Sequence, residues 1–411
     1  MEGIPIAIIP HPLGGLRPQE VIKRAEDPIM EVIRGLKEAE RPACPPKEGA
    51  GRPKGAVRHK PLFAPLSGRT IRVADSLEAI NKLFYTRGLT DGLPIIPPTP
   101  ERVKRMLSLT RRDPKEVIAV LPPRMGEATV EKIAVNAVMA GCYPEYMPLI
   151  IAIVKALAHP DFNLYAVQTT THLCAPLVIL NGPIAKELKI NYRASVLGPG
   201  TWSNATIGRA VRLILINIGG GIPGTLDKAA FGQPAKYSYL MAENEEESPW
   251  EPLHVEHGFD KELSTVTVIS AEGPHNVQDH DSKSACGILT SISGTLSTVG
   301  SNSVYFQSQT LVVMSPEHAH TVAREGMKKE DVKTFIFEHS QIPFSRFSEE
   351  NVERWKRTWP ERYRDAGPET LIPVASSKDD IILLVSGGAG KHSLIMPTFG
   401  LSRAVTMPLE G

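Results

Sequence analysis

Apolar residues recur with a helical period between Pro18 and Ala39, where Val21, Ala25, Ile29, Val32, Ile33 and Leu36 share one face. A short apolar run, Ile4 to Pro10, precedes them, and His11-Pro12-Leu13-Gly14-Gly15 between the two is turn chemistry. The pattern predicts one strand and one helix, too few to bury a core of their own. From Arg41 to Ser67 the periodicity stops, and Pro42, Pro45, Pro46, Pro53, Pro61 and Pro65 punctuate a polar, basic stretch. Such a stretch cannot offset its ordering entropy by burial, so it reads as a linker. The chain therefore divides into a strand-helix piece over 1–40, a proline-rich linker over 41–70 and a large domain over 71–411.

Within the large domain, helical patterning covers Ser76 to Tyr85, with Ser76 as N-cap. It returns after Thr99-Pro100, with proline at the first helical position, and then over Thr129 to Gly141 and Tyr146 to Ala158. Pro183 to Leu188, Thr206 to Ile218, Pro316 to Arg324 and Lys329 to Glu338 also read as helices. Ala166 to Thr171, Leu177 to Leu180, Thr265 to Ser270, Gln309 to Met314 and Ile381 to Val385 read as strands, most of them of the buried type. Strands alternating with helices predict an α/β fold. Pro176 to Ala185 echoes Thr310 to Ala319 as strand, turn and helix, and Glu127 to Lys132 echoes Asn204 to Arg209. Chance similarity of two ordinary strand-turn-helix units is the simpler account of the echoes, with a pseudo-duplicated α/β module as the alternative.

The 411 residues hold 46 basic and 45 acidic side chains, so the net charge is +1. That balance argues against an electrostatic nucleic-acid binder. No apolar run approaches the length of a membrane span, since Met147 to Ala158 is short and contains Lys155. Acidic Glu2 and the lack of a basic first segment do not read as a signal peptide. Cys44, Cys142, Cys174 and Cys286 form no C-x-x-C pair and no disulfide framework, so the expected setting is the reducing cytoplasm.

Several segments offer chemistry. Cys142 follows the helix break at Gly141; near the start of the next helix it could be activated, and buried it is inert. Cys174 lies two positions from His172, and residues two apart share a face when extended. Glu127 and Glu131, at a helix start, can line a pocket or simply answer the helix dipole. Gly273 to Asp281 packs His275, Asp279, His280 and Asp281 into seven positions beside Asn276. It reads as a substrate loop, a metal site or a solvated loop; His254 and His257 are a second pair with metal-ligand chemistry. Glu243-Asn244 opens an acidic turn. Gly219 to Gly224 matches a dinucleotide string but lacks the helix that must follow it. Ser386 to Ser393, with Lys391 and His392, follows a strand and could cradle a small anion on backbone N–H groups, or serve as a structural turn.

Together these stretches resemble the (seleno)protein family named after its UGSC motif. The matching segments are Asp91-Gly92-Leu93-Pro94 with Pro97-Pro98-Thr99, Gly126 to Cys142, Asn181-Gly182-Pro183, Leu197 to Gly200 and Asn204 to Arg209. Ala242 to Glu246, Glu272 to Asn276 and Gly387 to Ser393 complete the set, which spans Ile71 to the C-terminus. Ile4 to Gly15 resembles the last strand and turn of that family's N-terminal domain, but no Cys-Gly-Ser-Cys occurs in this chain. The resemblance implies a fragment or split subunit. Its reactive cysteine or selenocysteine would come from a missing domain or a partner UGSC-domain subunit. It implies thiol- or selenol-dependent redox chemistry on a small polar molecule held by His275, Asn276, Lys391, His392, Ser393 and the loops of Asn204, Glu243 and Asn244. The alternatives are a self-contained hydrolase or lyase using Cys142, His275, Glu127 or Glu131, with or without a metal, and a non-catalytic binding subunit. No organic cofactor is expected, no nucleic-acid or membrane partner, and a homo-oligomer is compatible with the near-neutral charge.

Overall fold

The computed structural model describes residues 70–409. The expected strand at Ile4 to Pro10, the helix at Pro18 to Ala39 and the linker lie outside them. The described part begins with helices α1 (Leu77–Thr86) and α2 (Pro100–Leu107), each opened as its sequence predicts. The Ser76 hydroxyl accepts from Ala79 N, the Thr99 hydroxyl accepts from Arg102 N, and Pro100 needs no partner for its nitrogen. A hairpin of β1 (Val117–Leu121) and β2 (Gly126–Thr129) leads into α3 (Val130–Ala140) and then α4 (Met147–Leu157). Gly141 ends α3 in the left-handed conformation that glycine adopts without strain.

Two four-stranded sheets follow. The first has the order β12-β5-β3-β4, the second β10-β7-β11-β6. Their strands are β3 (Ala175–Asn181), β4 (Leu240–Ala242), β5 (Thr265–Ala271), β6 (His275–Gln278), β7 (Thr310–Met314), β10 (Ile381–Val385), β11 (His392–Pro397) and β12 (Val405–Pro408). The small pair β8 (Gln341–Pro343) and β9 (Leu371–Pro373) stands apart. Every residue of β3, β5, β7 and β10 is buried, which a strand requires only when both faces are covered. Side chains alternate accordingly. Leu177, Ile179 and Ile269 of one sheet share a core with Leu311, Val313 and Leu384 of the other. Val178, Leu180 and Val268 turn the opposite way, onto α3, α4 and helix α5 (Trp202–Asn217). Val312, Met314 and Leu383 turn onto α6 (Ala285–Leu296), α7 (Pro316–Ala323) and α8 (Lys329–His339). The layers thus run helix, sheet, sheet, helix, and the class is mixed α/β.

The strand pairing repeats. β3 runs parallel to β4 and antiparallel to β5; β7 runs parallel to β10 and antiparallel to β11. Around them α4 packs on β5 and β12 as α6 packs on β11 and β6, and α5 packs on β4 as α8 packs on β10. The echo between Pro176 to Ala185 and Thr310 to Ala319 therefore marks equivalent central strands. The last strand of each module crosses over: β6 pairs with β11, and β12 with β5. At the crossing Ala271 bridges Thr398, with Glu272 N donating to Pro397 O and Phe399 N to Ser270 O, both at 2.9 Å. The second echo marks no such equivalence, because Asn204 to Arg209 lies in α5, whose counterpart is α8.

One element departs from expectation. Ala166 to Thr171 is not a strand; Leu164–Thr169 is a short helix capped by the Asn163 side chain. Asn163 sits at φ 49°, a region asparagine tolerates, and the cap outweighs the β-branched Val167 and Thr169. Among the described residues, no single helix is long and apolar enough to cross a membrane.

Close packing of α5 on β4 makes a test. A Cβ on Gly208 would stand 2.2 Å from Ser238 Oγ and 2.8 Å from Tyr239 N. That hydroxyl is itself held by the Asn204 and Ala205 carbonyls. Gly208→Ala should therefore lower stability by about 1–3 kcal/mol in denaturant melts, despite the ~1 kcal/mol that alanine gains over glycine inside a helix. An unchanged or higher midpoint would contradict this packing.

Candidate functional site

Parallel pairing brings the carboxyl ends of β3 and β4 together, and likewise those of β7 and β10. Asn244 N donates to Val385 O at 2.8 Å, joining the two pairs at one end of the sandwich. Ligands in open α/β sheets bind outside such strand ends. Asn181, just inside that end, donates to Glu243 Oε2 at 2.6 Å and to Glu245 Oε1 at 3.0 Å, while Leu253 N donates to Glu243 Oε2 at 2.8 Å. Burial pushes the Glu243 carboxyl up, against the pull of Lys329. Asn244 is fully buried and donates to Gly387 O. The Glu243 and Asn244 loop thus meets the glycine-rich loop, yet both side chains brace the backbone.

At the same end Ser393 and His318 meet beneath α7, with Oγ 2.9 Å from Nδ1, and His318 Nε2 stands 3.2 Å from Asp279 O. Both are buried, and burial lowers the His318 imidazole. The Nε2 atoms of His280 and His392 are 3.2 Å apart, and Lys391 donates to His280 O at 2.8 Å. Part of the loop from Ser386, read as an anion cradle or a structural turn, is taken up by backbone pairing. Gly387 N is taken by Tyr192 O and His392 N by Gly390 O, and Gly388 is pressed against Ala194. Gly219 to Gly224 is likewise a packing turn, with Gly219 O accepting from Arg124 N.

Other expected site residues are placed apart. Asn204 is consumed structurally: its Oδ1 accepts from Asn191 N at 2.7 Å and its Nδ2 donates to Asn191 O and Leu240 O. It therefore ties α5 to β4 rather than holding substrate. His275 and Asn276 are exposed on β6, opposite Ile395 and Leu394, away from the strand ends. Glu127 is exposed on β2 and Glu131 is buried on the first turn of α3. Cys142 follows the other end of that eleven-residue helix, about 16 Å away at 1.5 Å per residue, so these three do not converge. Burial raises the Cys142 thiol to about 12, and its Sγ donates to Thr206 O at 3.3 Å; it is an inert core thiol, not a nucleophile. Among the described residues, no group of three or more histidine, cysteine or acidic side chains could hold a metal ion.

The opposite end of the sandwich holds a different arrangement. Cys174 immediately precedes β3, and Glu272 immediately follows β5, its antiparallel neighbour. His172 Nε2 lies 2.8 Å from Glu272 Oε1, and its ring stacks on Phe399, 5.6 Å between centroids. Burial works against the imidazolium, but Cys174 and Glu272 outweigh it and raise His172 to about 9. His172 and Glu272 keep side-chain exposures of 16% and 24%, while Cys174 is buried. Tyr239 donates to Glu272 O, and Gln233 donates to Leu173 O and Ala271 O, fixing the backbone on both sides. In the second module the equivalent places hold Phe306, Ser308 and Phe399, so only one module carries the trio. Sequence spacing exposed the Cys174–His172 pair, but Glu272 stands 100 positions from His172 and only strand pairing brings it in.

Comparison with known protein families and with curated proteins gives no match for this chain.

Two outcomes follow from these environments. His172 titrates above its ordinary value of 6.5, so its interactions stabilise the fold fully below pH 6.5 and are lost as pH rises through about 9. In pH-resolved denaturation, His172→Gln should be less stable than the parent at pH 6, by on the order of 2 kcal/mol, with the difference closing by pH 10. Iodoacetamide at pH 8 should leave Cys142 unmodified in the native protein while labelling exposed Cys286; rapid labelling of Cys142 would refute its burial.

Proposed function

We propose that this chain carries out thiol-dependent chemistry on a small polar molecule, with Cys174 as the nucleophile. The observation that supports it is the ion pair of His172 with Glu272 beside the Cys174 thiol. A thiolate attacks far better than a thiol, and an adjacent imidazolium stabilises the thiolate. Glu272 orients the ring and keeps it charged through neutral pH; Phe399 holds its plane. In this reading substrate approaches the buried sulfur past His172 and Glu272, the two partly exposed members of the trio.

In the redox form of this reading the electrophile is a sulfur or selenium atom of an oxidised substrate or partner domain. The Cys174 sulfur forms a bond to that atom as its bond to the leaving sulfur breaks. The leaving thiolate takes the His172 proton, and a second thiol or selenol then resolves the mixed bond. The resemblance to the UGSC-motif family supports a partner domain as the source of that second group. The hydrolase or lyase reading drew on Cys142, His275, Glu127 and Glu131, and of these Cys142 is buried and remote from Glu127 and Glu131.

Peptide mapping of timed iodoacetamide labelling at pH 6 to 8 tests the proposal. Cys174 should label faster in the parent than in His172→Gln, because the cation near the sulfur is gone. Cys174→Ala should abolish turnover of disulfide substrates with the fold intact. Activity that survives Cys174→Ala and full alkylation would falsify the thiol reading.

A further inference from the structure

A groove of about 450 Å³ opens between the loop before α6 and the outer side of α7. Glu317 and His320 on α7 and Arg324 at its C-cap fall at positions i, i+3 and i+7, which places them on one face. Ser282 and Lys283 face them from the loop, and Lys391 closes one side. At neutral pH three cations, Lys283, Arg324 and Lys391, stand against one carboxylate, Glu317. Neither Lys283 nor Arg324 has an ion-pair partner among the described residues; Lys391 is held in place by His280 O. Lys283 also sits one residue before Ser284, the N-cap of twelve-residue α6, whose dipole favours negative charge at that end.

From this combination we propose that the groove binds a small organic phosphate monoester. A phosphate dianion offers three terminal oxygens in different directions. Arg324 can take two of them with its planar fork, and the two lysines supply point charges. The cavity is of the size that holds a small ligand, so there is space for an organic group beyond the phosphate. The groove lies at the carboxyl end of β7, while Cys174 lies beyond the amino end of β3, on the order of 20 Å away at strand spacing. The ligand bound here is therefore not the molecule attacked by Cys174, and the proposal stands independently of the thiol reading.

Phenyl phosphate, titrated calorimetrically into the full chain at fixed ionic strength, is the probe. Saturable one-to-one binding is expected, weakened about tenfold by Arg324→Gln and by Lys283→Gln, the loss typical of a charged hydrogen bond. Glu317→Gln should tighten binding a few-fold by removing the lone opposing charge, and Cys174→Ala should leave it unchanged. Absence of saturable binding, or equal affinity in the parent and all three groove variants, overturns the proposal. Succinate binding as tightly as phenyl phosphate overturns the phosphate class.

Discussion

The Ala271–Thr398 bridge is the contact around which the rest of the molecule is arranged. Each module contributes three strands to its own sheet and a fourth to the other, so neither sheet is complete within one module. The crossing chains must pass at one point, and there they exchange a matched pair of backbone hydrogen bonds. A buried crossing could not leave these amides unpaired without a cost of a few kcal/mol. Each sheet has two covered faces, so its central strands are buried throughout.

That geometry sets where chemistry can occur. The two-fold relation aligns β3, β4, β7 and β10 in one direction, so one end of the sandwich collects their carboxyl ends and the other their amino ends. At the carboxyl end Asn181 and Glu243 tie β3 to β4 and Asn244 ties the first module to the second, while Asn181 Oδ1, Glu243 Oε1 and Asn244 Oδ1 are buried without a hydrogen-bond partner among the described residues. Arg209 does similar service, gripping Asp91 with two hydrogen bonds at 2.7 and 2.8 Å while also reaching Pro94 O. The segments Asp91 to Pro94 and Asn204 to Arg209 therefore meet for structural reasons.

The amino end is where the modules differ. Equivalent places hold His172, Cys174 and Glu272 in one module and Phe306, Ser308 and Phe399 in the other. The aromatic half is useful in itself, since Phe399 forms a wall against the His172 ring. An imidazole held by a carboxylate on one nitrogen and an aromatic face has its orientation controlled. Cys142 and Cys174 are both buried, while His172 and Glu272 stay partly exposed at the rim, where charge is tolerated.

Local patterning alone determined most helices, their caps and the buried strands, because periodicity and capping act over a few residues. Ser76, Thr99, Thr129 and Gly141 sit where their side-chain or backbone chemistry demands. The likeness of Pro176 to Ala185 with Thr310 to Ala319 could not by itself be told from chance; the repeated strand pairing gives it meaning. Residue type alone could not separate structural from reactive polar groups: Asn204, Glu243 and Cys142 carry the right atoms, but burial and hydrogen bonding commit them elsewhere. Nor could the sequence join Glu272 to His172, or Lys391 to Arg324, since those pairs depend on strand and helix neighbours distant along the chain. Local free energies are written in local sequence; which charges share a cavity is decided only when non-local strands pair.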